Sequence, residues 1–211
     1  MHLILYKVDL PRSAAGFLKD RLDLSKEEEE VAAYSLEMII YGGAGFLLVC
    51  VAGWLLKCLA VTLIVLIVGM LLRSFSGGAH SSSPYICILV SIMVVSIFGK
   101  LAVIAAPYFS YPALVLVVTC GFIVSLAAVW RLAPVESPKK PISSEKHRRH
   151  LRLLSMFFVF LAVAVQASLL LLNPLTQVAV IILAIEAGLL WQTFSITQAG
   201  HRFIATVDSI F

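Results

Sequence analysis

Charge is what this sequence has least of. Asp, Glu, Lys and Arg together make up 13% of its 211 residues, about half the share of an ordinary soluble domain. Hydrophobic residues make up 61%, and the mean hydropathy is +1.00. Too few polar residues separate the apolar runs to build a soluble domain of any size, so one integral membrane domain over 1–211 is expected. Cysteine is scarce as well: Cys50, Cys58, Cys87 and Cys120. They contain no CxxC pair, and three lie deep in apolar runs, which argues against a disulfide framework and a zinc site. Cys50, Cys58 and Cys120 read as small packing residues. The opening run Met1–Tyr6 is too short for a signal peptide and has no basic stretch before it. Internal repeats and low-complexity segments are lacking too.

What is present is six apolar runs, so the fold class is an all-α integral membrane protein. Residues 1–33 form a polar cytoplasmic or interfacial region. Within it Ala14, Ala15, Phe17, Leu18, Leu22 and Leu24 recur near helical spacing among Arg12, Lys19, Asp20, Arg21 and Asp23, predicting an amphipathic interfacial helix. Ser25 and Glu28 form an S-x-x-E capping box that starts the next helix. Glu27 to Glu30 suit its positive end or a solvated face. Spans are predicted near 38–56, 58–72, 86–106, 113–130, 153–172 and 175–194. The second is short, and is expected to use the polar segment after it or to thin the bilayer locally. Pro107 and Pro112 bracket an aromatic turn suited to a membrane interface. Asn173-Pro174 divides the last long apolar run. Residues 131–152 form a basic, proline-rich loop, and Ser195 onward reads as a short tail.

Six spans put both termini on one side. That arrangement collects 14 of the 16 Lys and Arg residues there, leaving Lys57 and Lys100 opposite. Basic loops stay in the cytoplasm, so the termini and the 73–87 segment are expected to be cytoplasmic.

That segment, Arg73 to Cys87, is the polar interruption between the second and third runs. Ser83-Pro84 is an N-cap and N1 pair. It puts Cys87 at the end of a helix's first turn, where the positive end favours thiolate. His80 is the natural base. On a continuous helix it would stand about 10 Å from Cys87 along the axis, too far for a Cys–His bond, so the chain between them must turn back. Gly77 and Gly78 free the backbone before that turn, and their N–H groups are candidates for an oxyanion hole. Arg73 is read as a substrate-carboxylate binder, a loop anchor or a snorkelling cation.

Leu72-Arg73, Gly77-Gly78-Ala79-His80 and Cys87 resemble the motif of the accessory gene regulator protein B (AgrB) family, membrane endopeptidases that process AgrD-type autoinducer precursors. Chain length, six spans, the basic loop after the fourth and the acidic N-terminal region leading to Tyr34-Ser35-Leu36-Glu37 follow the same pattern. The resemblance implies a multi-pass cysteine endopeptidase of the bacterial cell membrane, acting in quorum sensing without cofactor, metal or nucleic acid. Cys87 would be the nucleophile and His80 the base, then acid. The enzyme would cut the tail from the precursor and pass the acyl thioester to a Cys or Ser of the peptide, forming a thiolactone or lactone. Lys139, Lys140, Arg148 and Arg149 would dock an acidic tail, anionic lipid being an equal reading. A homodimer is expected by analogy. Glu37 is a candidate to orient His80, or else a helix-start charge. Glu186, a carboxylate within the sixth span, is a candidate support for the site, through Arg73 or otherwise, or a subunit contact. The alternative function is a small transporter or binding module with Arg73, His80 and Glu186 as its polar pathway, although such sites lie near the midplane.

Overall fold

The computed structural model describes residues 10–81, 83–136, 144–171 and 176–210. Most of them are helical: α1 (Leu10–Leu22), α2 (Lys26–Leu55), α3 (Leu59–Ser76), α4 (Pro84–Ala105), α5 (Tyr111–Leu132), α6 (Glu145–Leu171), α7 (Thr176–Ser195) and α8 (Gln198–Ile210). Six of these, α2 to α7, are long and apolar enough to cross a membrane. The chain is a multi-pass, all-α membrane protein. It divides into two compact units, Met1–Leu48 and Val49–Phe211.

In the first unit, the capping box forms as its residue pattern predicts. Ser25 N–H donates to Glu28 Oε2 at 2.9 Å, and Glu28 N–H donates to Ser25 Oγ at 3.2 Å. Both bonds satisfy amides that a helix start leaves without partners. The cap and the first span belong to one continuous helix, α2. Lys19 of α1 reaches Glu29 of α2 at 2.5 Å.

In the second unit α7 is the centre, packed against α3, α4, α5, α6 and α8. Close helix approach depends on small residues, as is usual where lipid supplies no hydrophobic drive between helices. A Cβ at Gly188 of α7 would stand 2.8 Å from the Val65 carbonyl of α3, and one at Gly99 of α4 would stand 2.6 Å from Thr62 Oγ1. Beside the α3–α4 connection, Leu72, Val129, Val159, Ile185 and Leu189 form a core from four helices.

Three boundaries differ from the pattern reading. α3 runs to Ser76 and includes Arg73 in its last turn, where a cation suits the negative helix end; the second span is therefore completed by the first residues of the polar segment, one of its two expected solutions. α6 begins at Glu145, so Lys146, Arg148, Arg149 and Arg152 are helical rather than part of a loop; strong helix formers carried the helix past the apolar boundary. The residues after Ser195 are not a simple tail but form α8. Pro138, Lys139, Lys140, Pro141, Asn173 and Pro174 lie outside the described residues, as does Ser82.

Candidate active site

Arg73 lies in the last turn of α3 and Cys87 in the first turn of α4, and both line one cleft. α3 stops because Gly77 follows it at φ 65°, ψ −153°, a conformation open essentially to glycine. Gly78 continues at φ 146°. These two residues swing the chain off the helix axis just before His80. Gly77 lies in a single parallel β-bridge with Val135, after α5, and Val135 N–H donates to Ser76 O at 2.8 Å. Ala79 N–H donates to Ser195 O, at the end of α7, at 2.9 Å. Gln192 Nε2 donates to Gly77 O at 2.6 Å and Ser76 Oγ at 3.0 Å. The loop is thus fastened through its backbone, which sets a side chain's position more tightly than exposed side-chain bonds do.

Arg73 is the hub. One of its Nη atoms donates to Ala79 O at 2.6 Å and lies 3.3 Å from His80 Nδ1. Arg73, Ala79, Ser81 and Cys87 line one cleft with Trp191 and Phe203. The cleft has about 40 Å³ of water-accessible space, room for a few waters. His80 is exposed and Cys87 half-buried. Pro84 occupies N1 of α4 after Ser83 in extended conformation, and Cys87 N–H donates to Ser83 O at 3.2 Å. The Ser83 hydroxyl makes no cap bond; the local hydroxyl at work is that of Ser81, which accepts from Ser83 N–H at 3.1 Å.

The other candidates are distributed differently. Gly77 N–H is committed to Arg73 O at 3.0 Å, so in this state it is not presented to a substrate carbonyl. Glu186 is 2% exposed and accepts from Gln166 Nε2 of α6 at 2.9 Å. Its carboxylate fills the space where a Cβ on Gly121 would be. Its hydrogen-bond partner is therefore Gln166, and Arg73 is turned to Ala79 and His80. Glu37 is half-buried on α2 in the first unit. Arg148 pairs with Glu136, and Arg149 is exposed.

Four contributors went unread in sequence: Gln192 and Ser195, which hold the loop, and Phe203 and Asp208 of α8. Gln192 carried a usable signal, since a polar side chain in a membrane span must find a partner. The others are made significant only by contacts remote in sequence.

A family model described as Accessory gene regulator B matches residues 12–196. An AgrB-like protein 2 of Clostridium perfringens (strain 13 / Type A) is 28% identical over 207 residues, covering 95% of this chain and 96% of that protein. An AgrB-like protein of Clostridium perfringens (strain SM101 / Type A) is 27% identical over 198 residues, covering 91% and 92%. No solved structure matches the chain. With the family model matched over most of its length, the chain belongs to the Accessory gene regulator B family.

Proposed function

We propose that the protein is a membrane cysteine endopeptidase that trims an AgrD-type autoinducer precursor and closes it into a ring. The observation that carries this reading is the Arg73 hub, which engages His80 and Ala79 beside the cleft that Cys87 also lines. His80 takes the thiol proton, and Cys87 Sγ attacks the carbonyl carbon of the scissile peptide bond. As the C–N bond breaks, the His80 imidazolium protonates the departing amine and the tail leaves. A Cys or Ser of the peptide then attacks the thioester, closing the ring and returning Cys87 to the thiol.

Arginine has no acceptor, so His80 Nδ1 offers its lone pair to Arg73, and the neutral ring carries its proton on Nε2. Base catalysis therefore needs the 3.3 Å contact to yield or the ring to change tautomer. Of Arg73's two bonds this is the weaker; the one to Ala79 O, at 2.6 Å, is the anchor. A substrate carboxylate approaching Arg73 would release His80 as it binds.

We read the site and both termini as cytoplasmic. The cation count supports this, and so does Lys100 donating to Leu56 O at 3.1 Å, beside Lys57, which gathers the two remaining cations at one end. Arg148 and Arg149, with Lys139 and Lys140 outside the described residues, are the proposed dock for an acidic tail or anionic lipid. Glu37 is retained as a candidate partner of His80, and a homodimer as the assembled form. The alternative, a transporter or binding module, is less well supported, because Glu186 is bonded within the bundle to Gln166 rather than joined to Arg73.

The test is incubation of proteoliposomes with the cognate precursor, followed by mass spectrometry. A released tail, and its loss in Cys87→Ala, is expected. Cleavage that persists in Cys87→Ala would remove the nucleophile assignment. Solute flux without cleavage would favour the alternative.

A further inference from the structure

The helix α8 lies beyond the residues 12–196 that the family model covers, yet it borders the cleft through Gly200, Phe203 and Ile204. Edge-to-face contacts of Phe203 with Trp191 and Phe194, at 6.1 Å between ring centroids, seat it on the end of α7. Its last turn carries Asp208, and Asp208 Oδ1 lies 2.5 Å from the hydroxyl of Ser81, 127 residues away in sequence. Ser81 directly follows His80.

The Ser81 hydroxyl has three neighbours and a single proton to donate. It accepts from Ser83 N–H at 3.1 Å, and it lies 3.0 Å from Ser83 O. A contact of 2.5 Å to a carboxylate has the length of a charge-assisted O–H···O⁻ bond and outcompetes the longer one to a neutral carbonyl. The proton goes to Asp208, and a lone pair is thereby aimed at Ser83 N–H. That bond ties the turn leading from His80 into the first residue of α4, whose first turn carries Cys87.

We propose that Asp208 is a positioning residue: through the Ser81 hydroxyl it holds the turn after His80 against α8, keeping His80 in register with Cys87. The proposal rests on the cysteine-peptidase reading above. Asp208 does not touch the reacting atoms in this scheme; it acts on them through one hydroxyl and one turn.

The test uses the full chain in proteoliposomes with the precursor, comparing wild type, Asp208→Ala, Asp208→Glu, Ser81→Ala and the Ser81→Ala/Asp208→Ala pair. Loss of one charge-assisted hydrogen bond should lower kcat on the order of tenfold in either alanine variant. KM should stay within about twofold, and the double variant should fall no further than the singles. Asp208→Glu should recover part of kcat. Wild-type kcat in Asp208→Ala, losses that multiply in the double variant, or an effect on KM alone would each overturn the proposal. Amide hydrogen exchange over residues 79–83 is measured on the same samples and needs no turnover. If wild type fails to cleave, the peptidase reading falls. Exchange then decides whether Asp208 holds the turn: faster exchange in Asp208→Ala upholds that hold, and unchanged exchange ends it.

Discussion

Replacing Gly77 by alanine tests how the loop is set, because two separate costs fall on one methyl group. Gly77 lies at φ 65°, ψ −153°, and a residue with a Cβ pays about 1–3 kcal/mol to stay in so sparsely populated a region. The new Cβ would also overlap the Val135 carbonyl oxygen. That atom is backbone, in a segment held by Val135 N–H on Ser76 O at 2.8 Å, so it cannot rotate away as a side-chain tip would. Overpacking at such a site costs about another 1–3 kcal/mol. Together the two predict a loss of about 2–6 kcal/mol. For a chain of this size each kcal/mol corresponds to about 2–4 °C, so thermal unfolding in detergent, followed by tryptophan fluorescence, should drop by at least about 4 °C. Gly42→Ala is the control: it lies within α2 with nothing within 4 Å of the added Cβ, and should be neutral or stabilising. Precursor cleavage by Gly77→Ala should fall with stability, since the residue begins the turn carrying His80. A Gly77→Ala protein melting within about 1 °C of wild type would refute the reasoning, showing that the turn re-forms in another conformation at little cost.

Three further predictions concern other parts of the molecule. Gly121→Ala should destabilise the bundle by about 1–3 kcal/mol, because its Cβ meets the Glu186 carboxylate. Placed in a Glu186→Ala background the same change should cost clearly less, and equal costs in the two melts would reject the contact. Arg73→Lys keeps the charge but loses the guanidinium nitrogen that reaches both Ala79 O and His80 Nδ1. Precursor cleavage should drop on the order of tenfold, and wild-type turnover would show that charge alone suffices. Ser25→Ala removes the reciprocal cap of α2, a loss of about 1 kcal/mol. Amide exchange at residues 26–29 should then quicken about fivefold, whereas unchanged exchange would mean that another group caps the helix.

What could be read along the chain was whatever depends on neighbours in sequence. The Ser25–Glu28 box spans three residues, and its two bonds form as the spacing requires. Pro84 is at N1 for the same kind of reason: its fixed φ and missing N–H suit only the first turn. Apolar runs long enough to cross a bilayer marked six helices, because within lipid the backbone must satisfy its own hydrogen bonds. Boundaries were less legible where helix propensity and hydropathy part company, as at Glu145–Arg152. Missing α8 had a similar cause, since Gly200, His201 and Arg202 read as polar tail while Phe203 and Ile204 find their reason against the α7 end.

The fold class, the six spans and the polar motif follow from hydropathy and local spacing, which are properties of the chain and not of its packing. The sequence also required a turn between His80 and Cys87, because rise per residue is a constant of the helix. Tertiary contacts supply what fastens the segment on either side of His80: Gln192 on Gly77 O, Ser195 O under Ala79 N–H, and Asp208 on Ser81. Glu186 likewise became a buried partner of Gln166 only when α6 and α7 packed. These pairs join residues that no local pattern relates, and a hydrogen bond exists only where folding has brought its two atoms within reach.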